Sequence, residues 1–144
     1  MILVVQVGLW SYAPPWLSWE LDNVPTPERR QRMDALARFI ADQPGEVWGD
    51  NIGLLTTLGK PIRFNDPLIM AQSAMLGWWN EAVFLDHIRA GRFSAIIWRG
   101  DVENRGRPND LSPAMYEAIR QHYEIKFRDA EFVYVPHYAR ETLD

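Results

Sequence analysis

A chain of 144 residues, 47% hydrophobic and 12% aromatic, has the material for one domain with a substantial core, which excludes a disordered, highly charged tail. With 15 Lys plus Arg against 19 Asp plus Glu, the formal charge of -4 supplies no general attraction to nucleic acid or anionic lipid, so no nucleic-acid partner is expected. The absence of Cys excludes disulfides, thiol nucleophiles and Cys-ligated metals.

Met1 to Trp10, MILVVQVGLW, is apolar apart from Gln6 and Gly8, yet it covers only half of the roughly 20 residues that a bilayer crossing needs. It lacks the basic flank and the small-x-small cleavage site of a secretion signal. Two readings stay open: a buried first strand, or the trailing end of a membrane helix that begins outside this chain. Downstream the first charges are Glu20 and Asp22, and no Lys or Arg precedes Arg29, the pattern of a non-cytoplasmic flank. Trp10, Tyr12, Trp16 and Trp19 suit either a bilayer interface or a cover over the core. Residues 1–24 therefore form an N-terminal apolar and aromatic segment, and 25–144 a single α/β domain.

Thr26-Pro27, Asp66-Pro67 and Ser112-Pro113 share one helix-start signal: a side-chain oxygen that caps, then a Pro that needs no N–H partner. After the first, Met33, Leu36, Ala37 and Ile40 recur at helical spacing until Gln43-Pro44-Gly45. Val47-Trp48 reads as a strand, Asn51 to Leu58 as a short helix closed by Gly59, with Lys60 near its negative end, and Ile62 to Phe64 as a second strand. Trp78, Ala82, Leu85 and Ile88 mark a helix that Gly91 closes. Ala95 to Trp98 is uninterrupted enough to be a strand buried on both faces. The polar GDVENRGRPND loop follows, then a helix carrying Met115, Ala118, Ile119 and His122. Tyr123, Ile125 and Phe127 alternate with Glu124, Lys126 and Arg128, so one solvated face is expected, and Asp129-Ala130 turns the chain into Phe132 to Val135. The order predicts a layered α/β fold: a mostly parallel sheet flanked by helices, with an antiparallel C-terminal hairpin at its edge.

Gly53 to Lys60 imitates a phosphate loop and fails as one. Five residues rather than four separate Gly53 from Gly59-Lys60, and Pro61 stands where a hydroxyl should hold magnesium. No Gly-x-Gly-x-x-Gly follows a strand, and no Ser sits in a Gly-x-Ser-x-Gly elbow. His87, His122 and His137 are too scattered for a metal box, so no cofactor or metal is assigned. Glu124-Ile125-Lys126 with Asp50 or Asp66 could hold magnesium for a nuclease, although an alternating edge strand also places Glu and Lys on a solvated face. In open α/β sheets ligands collect beyond the carboxyl ends of the strands, where both Gly49-Asp50-Asn51 and Arg99-Gly100-Asp101 fall. Asp50, Asn51, Arg99 and Asp101 are therefore the candidate ligand-binding residues. A mutual salt bridge and a helix cap explain the same residues equally well.

Taken in order, Gly49-Asp50-Asn51-Ile52-Gly53-Leu54-Leu55, Gly59-Lys60-Pro61-Ile62, Asn65-Asp66-Pro67, Gly77-Trp78-Trp79, Gly91-Arg92-Phe93 and Tyr134-Val135-Pro136 resemble the soluble C-terminal domain of bacterial polytopic membrane glycosyltransferases of the dolichyl-phosphate-mannose-protein mannosyltransferase-like class. The similarity covers Glu46 to Pro136 and rests on order and spacing. Many relatives have Glu where this chain has Asp50. The resemblance implies that the catalytic carboxylate lies in a membrane-embedded part using a lipid-linked sugar, that MILVVQVGLW leaves the last membrane helix, and that the domain sits outside the cytoplasm. It implies a non-catalytic domain touching the acceptor, the lipid-linked sugar or the membrane-embedded part. Two other classes stay in view: an independent enzyme such as a metal-dependent nuclease using Asp50, Glu124 and Lys126, and a binding module docking through Trp16 and Trp19.

Overall fold

The computed structural model describes residues 26–64, 66–103, 111–128 and 131–137. The readings made for Met1 to Trp10, for Trp16 and Trp19, for the centre of the long polar loop and for the Asp129-Ala130 turn fall outside these residues. The chain divides into two compact units, Met1–Met33 and Asp34–Asp144. Of the first, residues 26–33 are described, and they open a helix. Among the described residues no helix is long and apolar enough to cross a membrane.

The three capped prolines act as their chemistry demands. Thr26 Oγ1 accepts from Arg29 N at 3.2 Å and starts α1 (Pro27–Asp42). Asp66 Oδ1 accepts from Ile69 N at 3.2 Å and starts α3 (Pro67–Met75). Ser112 Oγ accepts from Met115 N at 3.1 Å and starts α5 (Pro113–His122). Each side chain satisfies one of the donors a helix start leaves free. Between them lie β1 (Glu46–Gly49), α2 (Ile52–Thr57), α4 (Ala82–Arg89) and β2 (Phe93–Trp98), and the chain continues into β3 (Tyr123–Arg128) and β4 (Phe132–Pro136). Gly59 and Gly91, at φ 65° and 58°, provide the left-handed residues that end α2 and α4.

The four strands form one open sheet in the order β1-β2-β4-β3. Only β1 and β2 are parallel neighbours; β2 pairs antiparallel with β4, and β4 with β3. The expectation of a mostly parallel sheet is thus corrected to a mixed one, because the returning hairpin strand inserts between β2 and β3. Ile62 to Phe64 forms no strand. Pro61 has no N–H for a ladder, Ile62 is exposed, and Phe64 instead turns its ring into the core at 4.9 Å from that of Phe84.

Trp48, Phe93, Ile96, Trp98 and Tyr134 cover one face of the sheet and pack with Ala71 of α3, Phe84 and Ile88 of α4, and Met115 and Ile119 of α5. By strand alternation Val47, Ala95, Ile97 and Val133 line the opposite face. There Phe39 of α1 meets Phe127 edge to face at 4.7 Å. The expected alternation in β3 breaks at a register shift between Ile125 and Phe127: Ile125 pairs with Tyr134, but Phe127 pairs with Val133, a residue on the other face. The extra residue, Lys126, lets one edge strand supply apolar groups to both layers.

Candidate functional site

The end of the sheet where β1, β2 and β3 finish and β4 begins carries two ion pairs that join different elements. Asp50, just past β1, accepts from Arg99 Nε at 2.5 Å, just past β2. The Asp50 side chain is only 9% exposed and that of Arg99 54%, so the guanidinium covers the carboxylate from the solvent side. Arg99 also lies 6.0 Å from the Trp98 ring centroid. On the far side of β2, Arg128 approaches the Asp101 carboxylate at 3.5 Å, and Asp101 Oδ1 accepts from Glu103 N at 3.0 Å. The sequence-predicted quartet is therefore at one end of the sheet, organised as two ion pairs plus Asn51. The anticipated salt bridge and helix cap are both present.

Asn51 has two tasks. Its Oδ1 accepts from Leu54 N at 3.1 Å, capping α2, while its Nδ2 donates to Glu131 Oε1 at 2.6 Å. Glu131 was not a sequence candidate. It precedes β4 with no motif around it, and the pairing of Trp98 with Phe132 is what places it beside Arg99. A charged residue just before an apolar strand start was the only signal. Its second oxygen, Oε2, is buried and has no partner among the described residues. Burial pushes the Glu131 carboxyl above its ordinary value; the Asn51 hydrogen bond opposes the rise, the Asp50 charge adds to it, and Arg99 opposes it.

Tyr134 supports the loop after β2 from below. Its hydroxyl accepts from Val102 N at 2.8 Å and reaches Gly100 O at 3.4 Å, and burial pushes the phenol up to about 12. Trp48 Nε1 and Trp98 Nε1, near the same ends of β1 and β2, are also buried with no partner among the described residues.

Lys60 closes α2 through its backbone, whose N–H donates to Leu55 O at 3.0 Å, but its ammonium group goes elsewhere. Its Nζ donates to Ala41 O at 3.0 Å and Gln43 O at 2.7 Å, closing the last carbonyls of α1, where a cation is favoured. The nuclease-like trio does not assemble. Glu124 pairs with Val135 on the edge strand, whereas Asp50 follows β1 at the other edge, three strand spacings away, about 14 Å laterally. Among the described residues no group of three or more His, Asp or Glu could hold a metal ion.

Glu131 gives the site a pH dependence of definite sign. Because its folded-state value is raised above 4.5, the folded chain holds this proton more tightly than the unfolded one. The resulting stability is fully present below the ordinary glutamate range and is lost as pH rises through the folded value. Glu131→Gln keeps the acceptor for Asn51 and never ionises. It is expected to match or exceed the wild type near neutral pH, and to lose that relative advantage on acidification. Urea midpoints of both proteins across a pH series check this; parallel profiles would refute the assignment.

Comparisons with protein-family models, curated proteins and solved structures return no match.

Proposed function

We propose that this chain is a non-catalytic α/β domain of a membrane glycosyltransferase-like protein, placed on the extracytoplasmic side of a bacterial membrane and contributing to recognition of the lipid-linked sugar or its acceptor. The observation that carries this reading is the buried Oε2 of Glu131, without a partner among the described residues, beside Asn51 and the Asp50–Arg99 pair. It stands where open α/β sheets gather ligands. The set suits hydroxyl groups: carboxylate oxygens accept, a guanidinium donates, and the Asp50 and Asp101 charges are already balanced by Arg99 and Arg128. With the two guanidiniums each already paired to an Asp and Glu131 held by a neutral amide, the site favours an uncharged sugar ring over a phosphate, which would need spare cations.

The test uses the purified chain and a polyprenyl-phosphate-linked hexose in detergent. Backbone resonances of Asp50, Asn51, Arg99 and Glu131 are expected to shift with added sugar, without any glycosyl transfer. Turnover by the chain alone would overturn the non-catalytic reading. Unmoved resonances at saturating sugar would overturn the site.

A further inference from the structure

The face that α3 turns to solvent is apolar. Leu68, Ile69, Met75 and Leu76 are 44%, 62%, 41% and 56% exposed, and Trp78 and Val83 beyond them are 80% and 63% exposed. At 100° per residue the first four fall with Gln72 inside one sector of about 120°, while Pro67 and Ala71, beyond one edge of that sector, are buried. A helix that is apolar all round belongs in an interior, so something covers this side. We propose that a second copy of the chain does: the protein is a homodimer joined through the outer face of α3 and the turn leading to α4.

Two features favour a copy of itself. The exposed parts of these six side chains amount to roughly 700 Å², within the ~600–1,000 Å² that each partner of a stable complex buries. Such a patch is also larger than scattered surface residues account for. Then there is charge. In a two-fold interface each residue near the axis meets its own counterpart, so any charge there faces a like charge. From Pro67 to Asn80, PLIMAQSAMLGWWN, there is no charged residue. The charges bracketing the stretch, Asp66 and Glu81, are both acidic, whereas helices that lie on membranes carry Lys and Arg beside the apolar face. The inference is independent of the sugar-binding reading, since no residue is shared.

Sedimentation velocity of the full chain, from micromolar to millimolar concentration, is expected to show a species of twice 16.8 kDa. Ile69→Asp and Leu76→Asp, tested separately so that loss of folding in one leaves the other, are expected to weaken association at least tenfold with the circular dichroism unchanged. Lys126→Glu, on the exposed bulge of β3, is the control and leaves association unaltered. Because the chain has no Cys, Gln72→Cys introduces a single thiol, and a short bismaleimide should link two copies through it. A monomeric wild type at the highest concentration overturns the proposal, as does a dimer insensitive to both aspartates. Binding of the monomer to phosphatidylcholine vesicles, lost in Ile69→Asp, assigns the face to lipid and overturns it too.

Discussion

Phe84→Ala is expected to remove about 4 kcal/mol of stability, near the upper range for emptying a buried aromatic site. Phe84 is fully buried in α4, and its ring centroid lies 4.7 Å from Trp48, 4.9 Å from Phe64, 5.8 Å from Phe93 and 6.2 Å from Trp79. These four partners come from β1, the Pro61–Phe64 segment, β2 and the turn before α4, so the void opens where four parts of the chain meet. None can close it alone. β1 and β2 are fixed by their shared ladder, and α4 is held against α5. A loss of that size is a large share of the 5–15 kcal/mol that holds a typical domain together. Phe84→Leu refills much of the volume and is expected to lose roughly half as much. Urea unfolding followed by tryptophan fluorescence measures both, and a loss under about 1 kcal/mol for the alanine variant would mean that the site collapses freely.

Phe84 also shows where sequence reading stops. Local signals were legible: each of Thr26, Asp66 and Ser112 caps the helix its following Pro begins, and the unbroken run Ala95 to Trp98 is buried in the central strand β2. Those features depend on neighbours within four residues. The helical stripe drawn through Trp78, Ala82, Leu85 and Ile88 starts too early: Asn80 Oδ1 accepts from Ala82 N, α4 begins there, and Trp78 remains outside. That error hid Phe84. What failed outright was non-local. Insertion of β4 beside β2, the flip of Phe127 at Lys126, the reach of Lys60 back to Ala41 and the arrival of Glu131 next to Asn51 all depend on pairings across long stretches of chain. No periodicity in one segment encodes which distant segment it will meet. The site was half legible for the same reason, since Asp50 and Arg99 each follow a recognisable strand, while Glu131 is placed by register alone.

Gly49→Ala should be nearly as damaging, and it would act on the fold and the site together. Gly49 is the last residue of β1, paired with Ile97 of β2. A Cβ added there would fall inside contact distance of the Ile97 carbonyl oxygen and 2.8 Å from Ile97 Cβ. The obstruction is the backbone of a central strand, which cannot rotate away as a side chain end could. β1 must therefore move off β2 at its carboxyl end, where Asp50 N donates to Ile97 O at 3.3 Å. Overpacking of this kind removes about 3 kcal/mol. The same displacement pulls Asp50 from Arg99 and tilts Asn51 away from Glu131, so resonances of all four residues are expected to shift in the folded fraction. Gly53→Ala separates this effect from a general intolerance of alanine. Gly53 is exposed in α2, its added Cβ would meet nothing nearer than Asn51 Oδ1 at 4.0 Å, and alanine suits a helix better. That variant should gain up to about 1 kcal/mol. Opposite signs from one substitution at two glycines four residues apart would tie the loss at Gly49 to the close approach of β1 and β2; a neutral Gly49→Ala would show that the two strands can separate without harm.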